Sequence, residues 1–166
     1  CGVAEQSMIG IAAGMALRGM RPFCYTIATF ALFRPFEMVR VDLCYQNLPV
    51  TVVGMGTGTV YSTLGGTHLT QEDVSIARSI PNMNIIAPCD PNEIEDAVKY
   101  CCKSSKKPTY LRIGKAGEKT FVNKLSKKWQ FGKIRLISPG SDVCILTFGP
   151  IIKKGLTQIT LKFSIL

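Results

Sequence analysis

Lysine is missing from more than half of this chain: residues 1–98 contain none. The whole sequence of 166 residues has one histidine and one tryptophan, and only 19% of it is charged. One histidine cannot complete a common zinc set, and no Cys-x-x-Cys pair is there to help it. No apolar run reaches the ~18 residues of a membrane span, so no membrane partner is expected. Residues 1–20 show no basic start followed by an apolar block and cleavage site, so no signal peptide is visible in them. There is no Walker loop, no serine nucleophile elbow and no paired-carboxylate signature, and no internal repeat or low-complexity tract. The chain also lacks an initiator methionine and opens at Cys1, which reads as a fragment or a processed start.

What is present supports a packed core. Hydrophobic residues make up 46% and the mean hydropathy is +0.20, enough for one domain, or one domain plus a piece of another. The net charge of +9 is unevenly spread: residues 1–98 sum to −4 and residues 99–166 to +13. A basic tail invites nucleic acid. This one has no stacking-aromatic pattern and no zinc or helix-turn-helix signature, so it reads as a solvated lysine-rich linker with no nucleic-acid partner. The cysteines number seven, an odd count. They read as reduced, mostly core residues of a cytoplasmic protein.

Helical and strand signals alternate. Residues 5–18 read as a helix, with Met8, Ile9, Ala12, Met15 and Ala16 at helical spacing and Gly19 as its stop. Gly10 and Gly14 lie on one face of it, which predicts close packing against another backbone. Strands are expected at 21–27, 49–54, 84–88, 108–113 and 142–148. Residues 30–46 read as a helix that Pro35 interrupts. A glycine-rich loop, 54–70, leads to a helix over 71–79 with Thr70 as N-cap. Asp90, Pro91 and Glu93 form a capping-box start for the next helix, whose buried stripe is Ile94, Ala97, Val98 and Cys101. Strands separated by helices predict an α/β fold, a mainly parallel sheet with helices on both faces. Ligands bind such sheets at the carboxyl ends of the strands, where the glycine loop should lie.

Few residues there carry chemistry. Glu5 heads a helix whose residues 6–17 are almost wholly small or apolar, so its carboxyl sits at the mouth of a buried helix. Such a group suits proton exchange with a bound ring nitrogen, although an ordinary first-turn acid has the same sequence signature. Phe30, Phe33 and Phe36 have helical spacing, which fits core packing and also fits an aromatic wall for a heteroaromatic ring. Gly54-Met55-Gly56-Thr57-Gly58 lacks the third glycine at the spacing of a dinucleotide fingerprint, and no helix begins immediately after it. His68, in the glycine loop, is equally a structural residue and a proton-transfer or hydrogen-bonding one.

Four ordered motifs then bring out a resemblance. GVAEQSMIGIAAGMA (2–16), YTIATFALF (25–33), LGGTHLTQED (64–73) and SIPNMNIIAPCDPNE (79–93) resemble the pyrimidine-binding domain of transketolases. The likeness is to the C-terminal subunit of split transketolase-like enzymes, and covers about residues 1–148. It implies thiamine diphosphate as cofactor, with magnesium held by a partner chain. It implies that Glu5 bonds the aminopyrimidine ring nitrogen and drives the tautomer shift that activates the thiazolium carbon. Phe30, Phe33 and Phe36 would bind the pyrimidine, His68 would contact substrate, and Lys115 would hold a substrate phosphate. It further implies an oligomer in which a thiamine diphosphate-binding subunit supplies the diphosphate domain, acting on a sugar substrate.

The resemblance has departures. Transketolases commonly carry Asp-Gly-Pro before Thr-His; here Leu64-Gly65-Gly66 stands there, which removes a sugar-hydroxyl reader. Twelve residues before His68, where many sugar-phosphate enzymes carry another histidine, stands Gly56. Lys115 replaces a phosphate-binding arginine. No Gly-Asp-Gly metal motif occurs, and the family's first strand and helix have no counterpart, so the chain reads as truncated at both ends. The expected organisation is a pyrimidine-binding domain at 1–113, a basic linker at 114–141 and the start of a truncated C-terminal domain at 142–166. Two alternatives stay open: an inactive remnant acting at most as an assembly partner, and the beta subunit of a 2-oxoacid dehydrogenase.

Overall fold

The structure is a computed structural model that describes residues 1–120, 129–157 and 163–165. The basic stretch 121–128 of the expected linker and residues 158–162 and 166 of the expected C-terminal piece lie outside the described residues. Four strands, β1 (Phe23–Ile27), β2 (Thr51–Met55), β3 (Asn84–Ile86) and β4 (Thr109–Arg112), form one sheet in the order β1-β2-β4-β3. Every neighbouring pair is parallel. The connections carry α1 (Glu5–Leu17, ahead of β1), α2 (Phe36–Met38), α3 (Asp73–Ser79) and α4 (Pro91–Lys103). Further on, β5 (Val143–Ile145), α5 (Ile152–Thr157) and β6 (Phe163–Ile165) follow, with β5 and β6 paired in parallel.

Strand alternation splits the core between two faces. Cys24, Val52 and Tyr110 pack with Ile9, Ala12 and Ala16 of α1, with Val39 and Leu43, and with Ala77 of α3. The next residues along the same strands, Val53 and Leu111, pack with Ile86 and with Ala97 and Cys101 of α4. Helices therefore cover both faces, as a parallel sheet requires. Trp129 packs against the second cluster, and Phe131 stacks on Tyr100 of α4 at 4.6 Å and 13°.

The α4 start forms as its sequence dictates, with one shift. Asp90 Oδ1 accepts from the Glu93 N–H at 3.0 Å, and Pro91 holds the first helical position. The Glu93 carboxylate accepts from the Cys89 N–H at 2.7 Å, one residue outside the reciprocal contact of a standard capping box. Such a cap is worth about 1 kcal/mol.

Three local expectations are corrected. The 30–46 helix is two π-helical stretches, Thr29–Phe33 and Val39–Tyr45, with α2 between them. Pro35 has no N–H to continue an α-helical ladder, and the hydrogen bonds on either side take the wider register. Thr70 is not an N-cap, because α3 starts at Asp73. Its N–H and C=O both pair with Gly58, at 3.0 and 2.9 Å, and its hydroxyl has no partner among the described residues. Finally, α1 buries one stripe (Glu5, Ile9, Ala12, Ala13 and Ala16), while Ile11, Met15 and Leu17 are exposed. A methyl group added at Gly10 or Gly14 would meet nothing within 4 Å, so those glycines pack against no backbone among the described residues.

Candidate functional site

The site is assembled where β1 ends. The chain leaves Ile27 and turns into the π-helical stretch, in which the Arg34 N–H bonds to the Thr29 carbonyl at 3.4 Å. Such wide turns recur at functional sites because they re-aim side chains. Thr29 is buried, and its hydroxyl donates to the Thr67 carbonyl at 2.9 Å. That bond ties the end of the glycine loop to the β1 exit. The His68 ring consequently stands edge-on to Phe30, with centroids 5.3 Å apart at 76°. Thr67 Oγ1 and His68 Nδ1 are 2.9 Å apart.

Glu5 is the first residue of α1 and only 7% exposed. The helix N-terminus stabilises its carboxylate by roughly 0.3–1 kcal/mol. Arg34 Nη1 donates to Glu5 Oε2 at 2.7 Å, and the same guanidinium carbon lies 4.3 Å from the Phe30 ring centroid. The Tyr61 ring also meets His68 edge-on, at 6.1 Å and 78°. Lys115 Nζ is 5.5 Å from the Tyr61 centroid. A continuous line, Glu5–Arg34–Phe30–His68–Tyr61–Lys115, thus runs along the carboxyl edge of the sheet. It uses residues that follow β1, β2 and β4, together with the start of α1.

Glu5, Phe30, His68 and Lys115, all singled out from the sequence, fall on this line. Phe33 and Phe36 are half-buried and packed against the main core. Arg34 and Tyr61 were missed. A signal existed for Arg34, a cation four residues after Phe30 inside an aromatic run. Tyr61 carried no signal beyond lying in the glycine loop.

Buried chemistry supports the loop from beneath. Asp73 is 0% exposed, and its Oδ2 accepts from Tyr110 Oη at 2.9 Å and Arg112 Nε at 2.8 Å. Burial, reinforced by the Asp73 charge, pushes the Tyr110 hydroxyl above its usual range. Tyr110 reaches Asp73 across Gly54, where a Cβ would lie 2.5 Å from Tyr110 Oη. A cavity of about 230 Å³ opens beside the line, lined in part by Tyr25, Met55, Lys115 and Glu118. Burial raises the Glu118 carboxyl above its ordinary value. Among the described residues no three His, Cys, Asp or Glu side chains converge to hold a metal ion. No helix among them is long and apolar enough to cross a membrane.

Residues 1–117 match the family described as "Transketolase, pyrimidine binding domain". The chain belongs to the transketolase family. An apulose-4-phosphate transketolase subunit of Phocaeicola vulgatus is 34% identical over 149 residues, covering 90% of this chain and 47% of that protein. The 1-deoxy-D-xylulose-5-phosphate synthase of Prochlorococcus marinus is 38% identical over 167 residues, covering 98% of this chain and 25% of that one. The chain therefore spans half or less of the length of these relatives. Among solved structures, a split gene transketolase, an inactive β4 tetramer, superposes with a TM-score of 0.82 at 28% identity. The match covers 99% of this chain and 55% of that one. The transketolase of Leishmania mexicana shares the fold, with a TM-score of 0.76 at 22% identity over 99% of this chain and 25% of its own. Residues 1–117 thus have the fold of a transketolase pyrimidine-binding domain.

Proposed function

We propose that this chain is the pyrimidine-binding half of a thiamine diphosphate-dependent, transketolase-like enzyme. The enzyme would move a two-carbon ketol unit between sugars or sugar phosphates. A partner subunit would supply the diphosphate domain and hold the magnesium, within an oligomer for which the exposed apolar face of α1 is suited. The seven free thiols suit a reducing, cytoplasmic setting.

The observation that carries this reading is the buried Glu5 carboxylate, which takes an N–H from a planar cation beside an aromatic face. The aminopyrimidine edge of thiamine offers the same kind of partner, so the residues present fit the group. Glu5 would accept the ring N–H and hold the proton there, shielded from water by its burial. Phe30 would offer a flat face, with Phe33 and Phe36 completing the wall. The bound cofactor supplies the nucleophilic carbon for cleavage of a carbon–carbon bond. His68, half-exposed beside Phe30, would hydrogen-bond a substrate oxygen and exchange a proton with it. Lys115 would attract an anionic end as a point charge, without the two-pronged geometry of arginine.

The test is reconstitution with the chain encoded by a flanking reading frame that carries a Gly-Asp-Gly motif. Glu5→Gln should retain binding of the whole cofactor, anchored by its diphosphate on the partner chain, yet slow proton exchange at the thiazolium carbon, followed by NMR, by roughly 10²–10⁴-fold. Exchange as fast as in the parent would overturn the role given to Glu5.

A further inference from the structure

We propose that Arg34 is a placeholder for the pyrimidine ring of the cofactor, holding its site closed until the ring arrives and displaces it. The inference rests on the cofactor reading above. Two features assigned to that ring are the Glu5 carboxylate and the face of Phe30. One side chain engages both. Arg34 Nη1 donates to Glu5 Oε2 at 2.7 Å, and its guanidinium carbon stands 4.3 Å from the Phe30 centroid.

The chemistry of the two groups matches. A guanidinium is planar, cationic, rich in N–H donors and prone to stack on aromatic faces. A protonated aminopyrimidine is likewise a planar cation, with a ring N–H donor at its edge and a face that stacks. Each satisfies the carboxylate and covers the ring, and both cannot lie on one face of Phe30 together.

The buried carboxylate needs such a partner. The Glu5 side chain is 8% exposed, and a carboxylate buried to that degree without a partner is costly. The Arg34 side chain, by contrast, is 36% exposed, so it has a way out to solvent. Arg34 also closes the π-helical stretch and directly precedes Pro35, so its backbone is fixed by the turn while its long side chain is not. Displacement then needs only side-chain rotation. The ring must compete with a contact already made, which lowers its apparent affinity by the fraction of molecules in which Arg34 has swung away.

The test uses the full chain and the probe 4-amino-5-hydroxymethyl-2-methylpyrimidine, the ring fragment of thiamine, titrated by ligand-observed NMR. Arg34→Met keeps the aliphatic stem and removes the donors and charge. It should bind the probe about fivefold more tightly or better than the parent, while Glu5→Gln should bind it more weakly. Equal or weaker binding by Arg34→Met, with Glu5→Gln still impaired, overturns the placeholder and leaves the cofactor site standing. Failure of the probe to bind parent and Arg34→Met alike at tens of millimolar overturns both readings. A second readout needs no folded variant with a hole in the site. The Nε–H signal of Arg34 in the parent, assigned by its loss in Arg34→Lys, should move toward the free guanidinium position as the probe saturates. A signal that stays put while the probe binds overturns the proposal.

Discussion

The Tyr61 ring lies over the bare Cα of Gly56. A Cβ at position 56 would run into Tyr61 Cε2, and Gly56 also has a φ of +72°. No side chain can stand at 56 while Tyr61 keeps its place between His68 and Lys115. Position 56 is therefore closed by a tyrosine five residues later in the chain. Gly56→Ala should cost roughly 1–2 kcal/mol for backbone strain alone, and more for the collision. In a Tyr61→Ala background the collision disappears and only the strain remains. Urea denaturation of the four proteins should give a coupling on the order of 1 kcal/mol. Strictly additive costs would show that the two residues do not compete for the space.

Thr29 should control His68 from a distance. Its hydroxyl is the bond that ties the Thr67 carbonyl to the β1 exit. Thr29→Val keeps the shape and removes the donor, at a cost of about 1 kcal/mol. Amide hydrogen exchange should speed up in residues 65–69, where the His68 N–H bonds to Gly65 at 3.0 Å, and stay unchanged in α4. Unchanged exchange in the loop would mean that something else anchors it.

Asp73 is the costliest buried group to disturb. Asp73→Ala strands the Arg112 donor and the Tyr110 hydroxyl, and should destabilise by about 3–5 kcal/mol. Tyr110→Phe removes one bond to a charged acceptor and should cost about 1.5–3 kcal/mol. Thermal unfolding of both variants should preserve that order. A milder effect for Asp73→Ala would mean that the network adds little to stability.

Stability should fall on the alkaline side. Burial pushes the Cys24 thiol up to about 11 and the Cys44 thiol up to about 12, from an ordinary 9.0. Folding thus favours the neutral thiol. This contribution is complete below 9.0 and is lost as pH climbs through the folded values of about 11 and about 12. In a reducing buffer the urea midpoint should drop between about pH 9 and pH 11. The double variant Cys24→Ala, Cys44→Ala should show a flatter profile over that range. An equal slope would place the pH dependence in other groups.

Much of the fold could be read in the chain because short-range chemistry decides it. Asp90 with Pro91 marks a helix start whatever the surroundings, and Val52 and Val53 sit in a run that only a strand covered on both faces can bury. The π-helical stretches at Thr29–Phe33 and Val39–Tyr45 were not legible, because their wider hydrogen-bond register leaves no separate periodicity in the apolar pattern. Thr70 misled for a similar reason. Thr-x-x-Asp is a helix-start pattern, but pairing with Gly58 had already claimed its backbone. Glu5 and His68 stood out by scarcity, one acid before an apolar helix and one histidine in the chain. Arg34 did not, since its importance lies in what it touches across 29 residues of sequence.

The strand order carries a consequence for how the chain reaches its shape. The sheet has no hairpin: β2 must wait for β4, pairing Thr51 with Thr109, and β3 docks only on β4. Every backbone ladder closes a long loop before it gains anything, which makes acquisition of the sheet slow. Until Thr109–Arg112 has been synthesised and docked, β2 lacks its inner neighbour and β3 lacks any, so their apolar runs are open to other chains. Yield in expression should therefore depend on synthesis through β4 and on temperature more steeply than equilibrium stability would suggest.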